Sequence, residues 1–210
     1  MVLRPIIPPS PAYLKGLCQP LLLITQPYHH RYMPRSDSFF IRASVVCETA
    51  DTFATESIDL GSYVDALGKS VLRIHNVTAS LTQGTAGNTP GAAPTMDGDK
   101  GGYVSWQLTT QDQASMVIPA NRAVVSSGAA WCRNSDAAVN PPATVYEGDM
   151  LPQEWTNGYL VAVESLQLGA QRGDEWTAGD KLTVSLVLEC TVETMTQAAA
   201  MALALSQQGN

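Results

Sequence analysis

The sequence predicts an all-β protein: an antiparallel β-sandwich with an extended N-terminal arm and a short C-terminal helix. From Ser38 onward apolar side chains recur with period two rather than 3.6. Turn-forming residues punctuate these runs at Gly148-Asp149, Asn157-Gly158, Arg172-Gly173-Asp174 and Gly179-Asp180. No helical pattern of about 10–15 residues lies between the runs, as a parallel α/β sheet would require. The chain has 210 residues, 45% apolar and 15% charged, which suits one core with a sparsely charged surface and excludes a disordered body.

Taken in order, residues 1–37 read as an extended arm. Seven of the 13 prolines fall within the first 34 residues, and proline blocks helix interiors and sheet ladders alike. Residues 1–42 hold Arg4, Lys15, Arg31, Arg35 and Arg42 against Asp37 alone, a local +4 in a chain of −7. The arm's apolar run is four residues, Leu21, Leu22, Leu23 and Ile24. A secretory signal needs about 7–15, and a membrane span about 20, so no membrane partner is expected.

The sandwich is assigned to residues 38–193. In a first strand over 39–47, Phe39, Ile41, Ala43, Val45 and Cys47 share one face while Arg42 and Ser44 take the other. Further strands are expected over 55–60, 71–81, 103–109, 114–119, 122–127, 143–147, 159–168 and 182–192, about nine in all. In 103–109, Val104, Trp106 and Leu108 share a side. In the last, Leu182, Val184, Leu186, Leu188, Cys190 and Val192 alternate with Thr183, Ser185, Glu189 and Thr191, giving one dry face. Asp59 is placed to cap a helical turn or two through Leu60, Val64 and Leu67, ended by Gly68. Residues 83–102, with six glycines and two prolines, form a surface loop. Irregular stretches are expected from Cys132 through Pro142 and over 147–156. Residues 193–208 read as helical, and the segment beyond the sandwich, 194–210, is assigned to a C-terminal helix or tail. With few charges this helix is expected to pack on a neighbour or on its own domain.

The residues able to carry chemistry are scattered. Cys18, Cys47, Cys132 and Cys190 form no C-x-x-C pair, so neither zinc nor redox chemistry is indicated. Cys47 and Cys190 continue apolar faces and read as buried free thiols in a chain made in a reducing compartment. Leu67-Gly68-Lys69-Ser70 resembles the end of a phosphate-binding loop, but Tyr63 stands where its earlier glycine belongs. Asp97-Gly98-Asp99 starts like a calcium loop, yet Leu108 occupies the glutamate position. His29 and His30 lie in the arm, His75 lies in a strand, and no G-x-S-x-G elbow occurs. The expectation is therefore no catalytic residue, no cofactor and no metal. Arg172-Gly173-Asp174 is read as a turn rather than a receptor-binding tripeptide. Asn76-Val77-Thr78 is a formal glycosylation acceptor inside a strand. Tyr28-His29-His30-Arg31-Tyr32 interleaves aromatics with cations, a pattern for stacking on single-stranded nucleic acid; packing between subunits is the preferred use.

A proline-rich, mildly basic arm followed by an eight- or nine-strand β body with long glycine-rich loops and few charges resembles the single jelly-roll capsid proteins of small icosahedral viruses. The resemblance covers residues 38–192 as an order of elements. It implies two facing four-stranded sheets, loops at the particle surface, and an arm running inside the shell or across subunit boundaries. On that resemblance the expected function is a virus coat protein, self-assembling in many copies into a shell that encloses a genome, located in the virion and assembled in the host cell interior. Leu21, Leu22, Leu23, Ile24, Tyr28 and Tyr32 are the subunit-contact candidates, with a weak contact between arm and nucleic acid. The arm departs from the family by lacking dense arginine clusters. The alternative is a carbohydrate- or ligand-binding β-sandwich such as a phage fibre or baseplate module, with Trp131, Trp155 and Trp176 as stacking faces. A cupin-like metal enzyme is excluded by the single histidine of the body.

Overall fold

The computed structural model describes residues 36–65, 69–83, 100–134, 144–147, 153–173 and 181–208, all within a unit of residues 33–210. Among them run β1 (Phe39–Cys47), β2 (Ala54–Asp59), β3 (Ser70–Gln83), β4 (Lys100–Thr109), β5 (Val124–Asn134), β6 (Thr144–Glu147), β7 (Gln153–Val161), β8 (Ser165–Arg172) and β9 (Leu182–Thr194), then helix α1 (Gln197–Gln208).

The strands form two antiparallel sheets, ordered β1-β9-β3-β7 and β2-β8-β4-β5-β6. The pairing explains the order. β1 pairs with β9, β2 with β8, β3 with β7 and β4 with β5, as in one long hairpin whose tip is β4–β5. Successive rungs of that hairpin fall alternately into the two sheets, and the β9–β3 and β8–β4 ladders close each sheet. This wrapping is the jelly roll. The short β6 adds a fifth strand beside β5.

The core lies between the two inner faces. β9 supplies Leu182, Val184, Leu186, Leu188 and Cys190, and β3 supplies Leu72, Ile74 and Val77; Trp106, Leu108, Leu166 and Leu168 meet them from the other sheet. Val192 is partly buried at the end of the same face. Burying each large aliphatic chain contributes about 1.5–3 kcal/mol, so strict alternation fixes which face of each strand points inward. Trp106 is core, as its strand face predicts.

Cys47 and Cys190 are buried free thiols. The β1–β9 register places Cys190 opposite Phe39 and Cys47 opposite Leu182, at opposite ends of the ladder, far beyond disulfide reach. Burial pushes the Cys47 thiol up to about 11 against the pull of the Arg172 charge, and burial followed by the Glu189 charge pushes Cys190 up to about 12. Both shifts favour the neutral thiol in the fold. Their contribution to stability is full below the unfolded value of 9.0 and is lost as pH rises through about 11 and 12. With Cys18 and Cys132 replaced by serine, a thiol reagent at about pH 8 is expected to leave both buried thiols unmodified until the chain unfolds. Rapid labelling of the folded protein contradicts their placement.

Several boundaries differ from the sequence expectation. The run 159–168 is not one strand: β7 ends at Val161 and β8 begins at Ser165. Residues 162–164 cross from one sheet to the other. Asn157-Gly158 is no hairpin turn but lies within β7, where Gly158 takes φ 69° and residues 155–158 oppose His75 alone between paired positions, a pronounced bulge. Residues 114–119 form no strand. The run 122–127 is the start of the longer β5, which continues through Cys132 where irregular chain was expected, and β7 begins at Gln153, within the other irregular stretch. After Asp59 one of the expected turn or two is described, with Gly61 N donating to Asp59 Oδ1 at 2.8 Å and Val64 N to Leu60 O at 2.9 Å; Leu67 and Gly68 lie outside the described residues. Glu193 belongs to β9, not to the helix.

Candidate functional site

Three surfaces carry unusual features. The first is the open side of the sandwich, where edge strands β1 and β2 run close without pairing. A groove of about 740 Å³ lies between them, lined by Phe40, Arg42, Ser44, Glu56, Asp59 and Tyr63. Phe39 stacks on Tyr63 with ring centroids 4.7 Å apart, and the Arg42 guanidinium stands 5.8 Å over the exposed Phe40 ring. A charged residue on an edge strand discourages unwanted strand pairing.

The second is the outer face of the β1-β9-β3-β7 sheet. At the β7 bulge, opposite His75 of β3, a cavity of about 440 Å³ is lined by His75, Asn76, Glu154, Trp155, Thr156 and Glu189. His75 Nε2 lies 3.0 Å from Thr191 Oγ1, and Asn76 Nδ2 donates to Glu154 Oε1 at 3.3 Å. Among the described residues the imidazole has no carboxylate partner that would orient it as a general base, and no group of three His, Cys, Asp or Glu side chains could hold a metal ion. Beyond the bulge, Arg73 grips Glu193 through two bonds of 2.7 Å. Glu193 is 1% exposed. The strand end is then covered by α1, whose Ala200 and Ala204 sit on Val71 and Ala162 with Leu160 and Leu203 beside them.

Two glutamine amides act where a neighbouring strand would. Gln207, on α1, accepts from Ala162 N at 2.9 Å and donates to Leu160 O at 2.7 Å, occupying the free edge of β7. Its own carbonyl accepts from Thr110 Oγ1 at 3.1 Å and Gln111 Nε2 at 2.7 Å, so the helix end is tied to the chain after β4. Gln107, buried on β4, likewise accepts from Val117 N at 2.9 Å and donates to Ser115 O at 3.3 Å. That contact, rather than a strand, organises residues 114–119.

The third surface is the outer face of β4 and β5. Trp131 is 50% exposed, opposite Tyr103 on β4 and in register with Tyr146 of β6. Tyr103 packs over Gly173 and donates its hydroxyl to Asp51 Oδ1 at 3.2 Å. Burial, followed by that carboxylate, raises its pKa above the ordinary tyrosine value.

The stacking candidates thus separate. Trp131 is open; Trp155 packs partly against the core with its ring 6.0 Å from Tyr159; Trp176 lies outside the described residues. So do Leu21, Leu22, Leu23, Ile24, Tyr28 and Tyr32, the two arm histidines, and Asp97-Gly98-Asp99. Ser70 starts β3, a strand and not the helix a phosphate loop needs. In Arg172-Gly173 the guanidinium is buried, donating to Cys47 O at 3.2 Å, Glu48 O at 3.0 Å and Gly173 O at 3.2 Å. It is spent inside the fold and is not presented to a receptor.

No family model and no curated protein matches the chain. Among solved structures it is similar to VP1 of Merkel cell polyomavirus as an unassembled pentamer, at 7% identity and TM-score 0.37, covering 74% of this chain and 95% of that one. It is also similar to the KI polyomavirus VP1 pentamer, at 12% identity and TM-score 0.37 over 76% and 95%. VP1 of trichodysplasia spinulosa-associated polyomavirus with 3′-sialyllactose matches at 9% and 0.36 over 75% and 95%. The likeness is one of fold.

Proposed function

We propose that this chain is a structural coat subunit that self-assembles in many copies into a shell enclosing a genome, in the host cell interior, and works in the virion without a catalytic centre. The supporting observation is where the exposed large apolar side chains lie among the described residues: Phe40 on β1, Tyr63 in the turn after β2, Ile118 in the chain between β4 and β5, Trp131 on β5, Met201 and Leu205 on α1. A dimer needs one contact surface. A closed assembly needs several, on different elements, because each copy meets several neighbours. In this reading the arm, through Leu21, Leu22, Leu23, Ile24, Tyr28 and Tyr32, adds contacts to other copies and a weak contact to nucleic acid.

Expression of the full chain followed by negative-stain microscopy and light scattering tests the proposal, with particles as the expected result. A stable monomer at high concentration and every salt tested, with or without nucleic acid, defeats it. Salt also has a predicted direction. The chain beyond residue 42 carries −11, screened beyond about 8 Å at physiological ionic strength. Raising salt should therefore promote assembly; weaker assembly at high salt would mean that attraction between arm and body outweighs the acidic repulsion. Deleting residues 1–37 should alter assembly while β-sheet circular dichroism persists.

The exposure of Trp131 favours one second reading, a saccharide- or ligand-binding sandwich in which this ring stacks on a sugar. Trp131→Ala abolishing glycan capture by an otherwise monomeric chain would select it.

A further inference from the structure

Helix α1 is apolar on both sides. Its inner face is seated through Ala200, Leu203 and Ala204 and locked by Gln207. Its outer face presents Ala198, Met201, Ala202 and Leu205, all exposed, with Leu205 at 67%. Spacing of i, i+3, i+4 and i+7 puts these four on one stripe, and a helix apolar all round is one that is covered all round.

The stripe also carries the information about what covers it. Residues 194–210 hold no charged side chain, in a chain of net −7, so here a second copy can approach without placing like charges in contact. α1 has no acid in its first turn and no base in its last, leaving both ends of the helix dipole without a compensating charge of its own. An antiparallel neighbour sets each end beside the opposite end of its partner. A two-fold axis perpendicular to the helix produces that arrangement. With the axis between residues 201 and 202, Ala198 faces Leu205 and Met201 faces Ala202, so each large side chain meets a small one. Parallel pairing sets Leu205 against Leu205 and leaves Ala198 facing Ala198.

We propose that α1 pairs antiparallel with α1 of a second copy about a two-fold axis through the Met201–Ala202 step. The inference rests on the self-association proposed above and names one of its contacts. A 12-residue helix is about 18 Å long, so one helix pair falls below the roughly 1,200 Å² of a stable interface. The contact is weak and reversible alone, and gains strength by repetition.

The test is oxidative crosslinking of the full chain with Cys18 and Cys132 changed to serine. Cys47 and Cys190 are buried and stay silent. In the proposed pair the two copies of position 202 lie about 1.5 Å apart along the axis and those of position 198 about 10 Å apart. Ala202→Cys should therefore form a disulfide dimer roughly tenfold faster than Ala198→Cys. Adding Leu205→Glu at this exposed position, with unchanged circular dichroism as the control for folding, should slow the Ala202→Cys dimer roughly tenfold. Equal crosslinking at both positions means parallel pairing and overturns the proposal. So does no crosslinking at either, which assigns the stripe to another occupant. Particles without a 202 crosslink remove this pairing and keep the shell; a 202 crosslink in a chain that stops at dimers keeps the pairing and removes the shell.

Discussion

Replacing Arg73 by methionine is expected to lower folding stability by about 3–5 kcal/mol. Methionine keeps much of the stem that packs over Gly158, where a Cβ would stand 2.6 Å from Arg73 Cγ. What it removes is the fork that holds Glu193 by both carboxylate oxygens at 2.7 Å and reaches the Asn157 carbonyl across the bulge. Glu193 is almost fully withdrawn from water, and its desolvation is then no longer offset by that cation. The pair need not be strongly stabilising as a whole for this to hold. Changing Arg73→Met together with Glu193→Leu removes both charges and should recover most of the loss. Denaturant midpoints for the four corners of the cycle measure the coupling. If the double variant loses the sum of the two single losses, the carboxylate is solvated from elsewhere and the cation is not what holds it.

Such a pair could not be read from the sequence, since its members are 120 positions apart and Glu193 sits where alanine-rich chain begins to look helical. The same holds for Arg172, whose carbonyl partner at Cys47 is 125 positions away; a three-residue motif gave no hint that its cation is buried. Strands with one wet and one dry face were legible, β1 and β9 above all. The corner from β7 to β8 was not, because Val161, Ala162 and Val163 are all buried and carry no turn residue. Asn157-Gly158 misled in the opposite sense, since positive φ serves a bulge as well as a turn. Residues 114–119 alternate like a strand, yet their backbone partner is the side chain of Gln107. Of the site candidates, the tryptophans were recognised as a set; only placement on β5 rather than β7 distinguished an open Trp131 from a packed Trp155.

Leu186→Ala should be among the costliest single truncations in the core, and its neighbours give the reason. The ladder sets Leu186 between Ala43 of β1 and Ala79 of β3, so within its sheet one large side chain fills the width of three positions. Leu188, two residues on, stands between Ile41 and Val77, which can lean into space it vacates. Both leucines are fully buried, so the apolar surface lost is the same and the remaining cavity decides the difference. Truncation at Leu186 is expected to cost about 4–5 kcal/mol and at Leu188 nearer 2–3 kcal/mol, spanning the range known for such changes. Ser185→Ala, on the opposite face, is the control and should move the midpoint by less than about 0.5 kcal/mol. Equal losses at 186 and 188 would mean that side chains from the β2-β8-β4-β5-β6 sheet fill both gaps. An unchanged midpoint for Leu186→Ala would place β9 one residue out of register and turn its dry face outward.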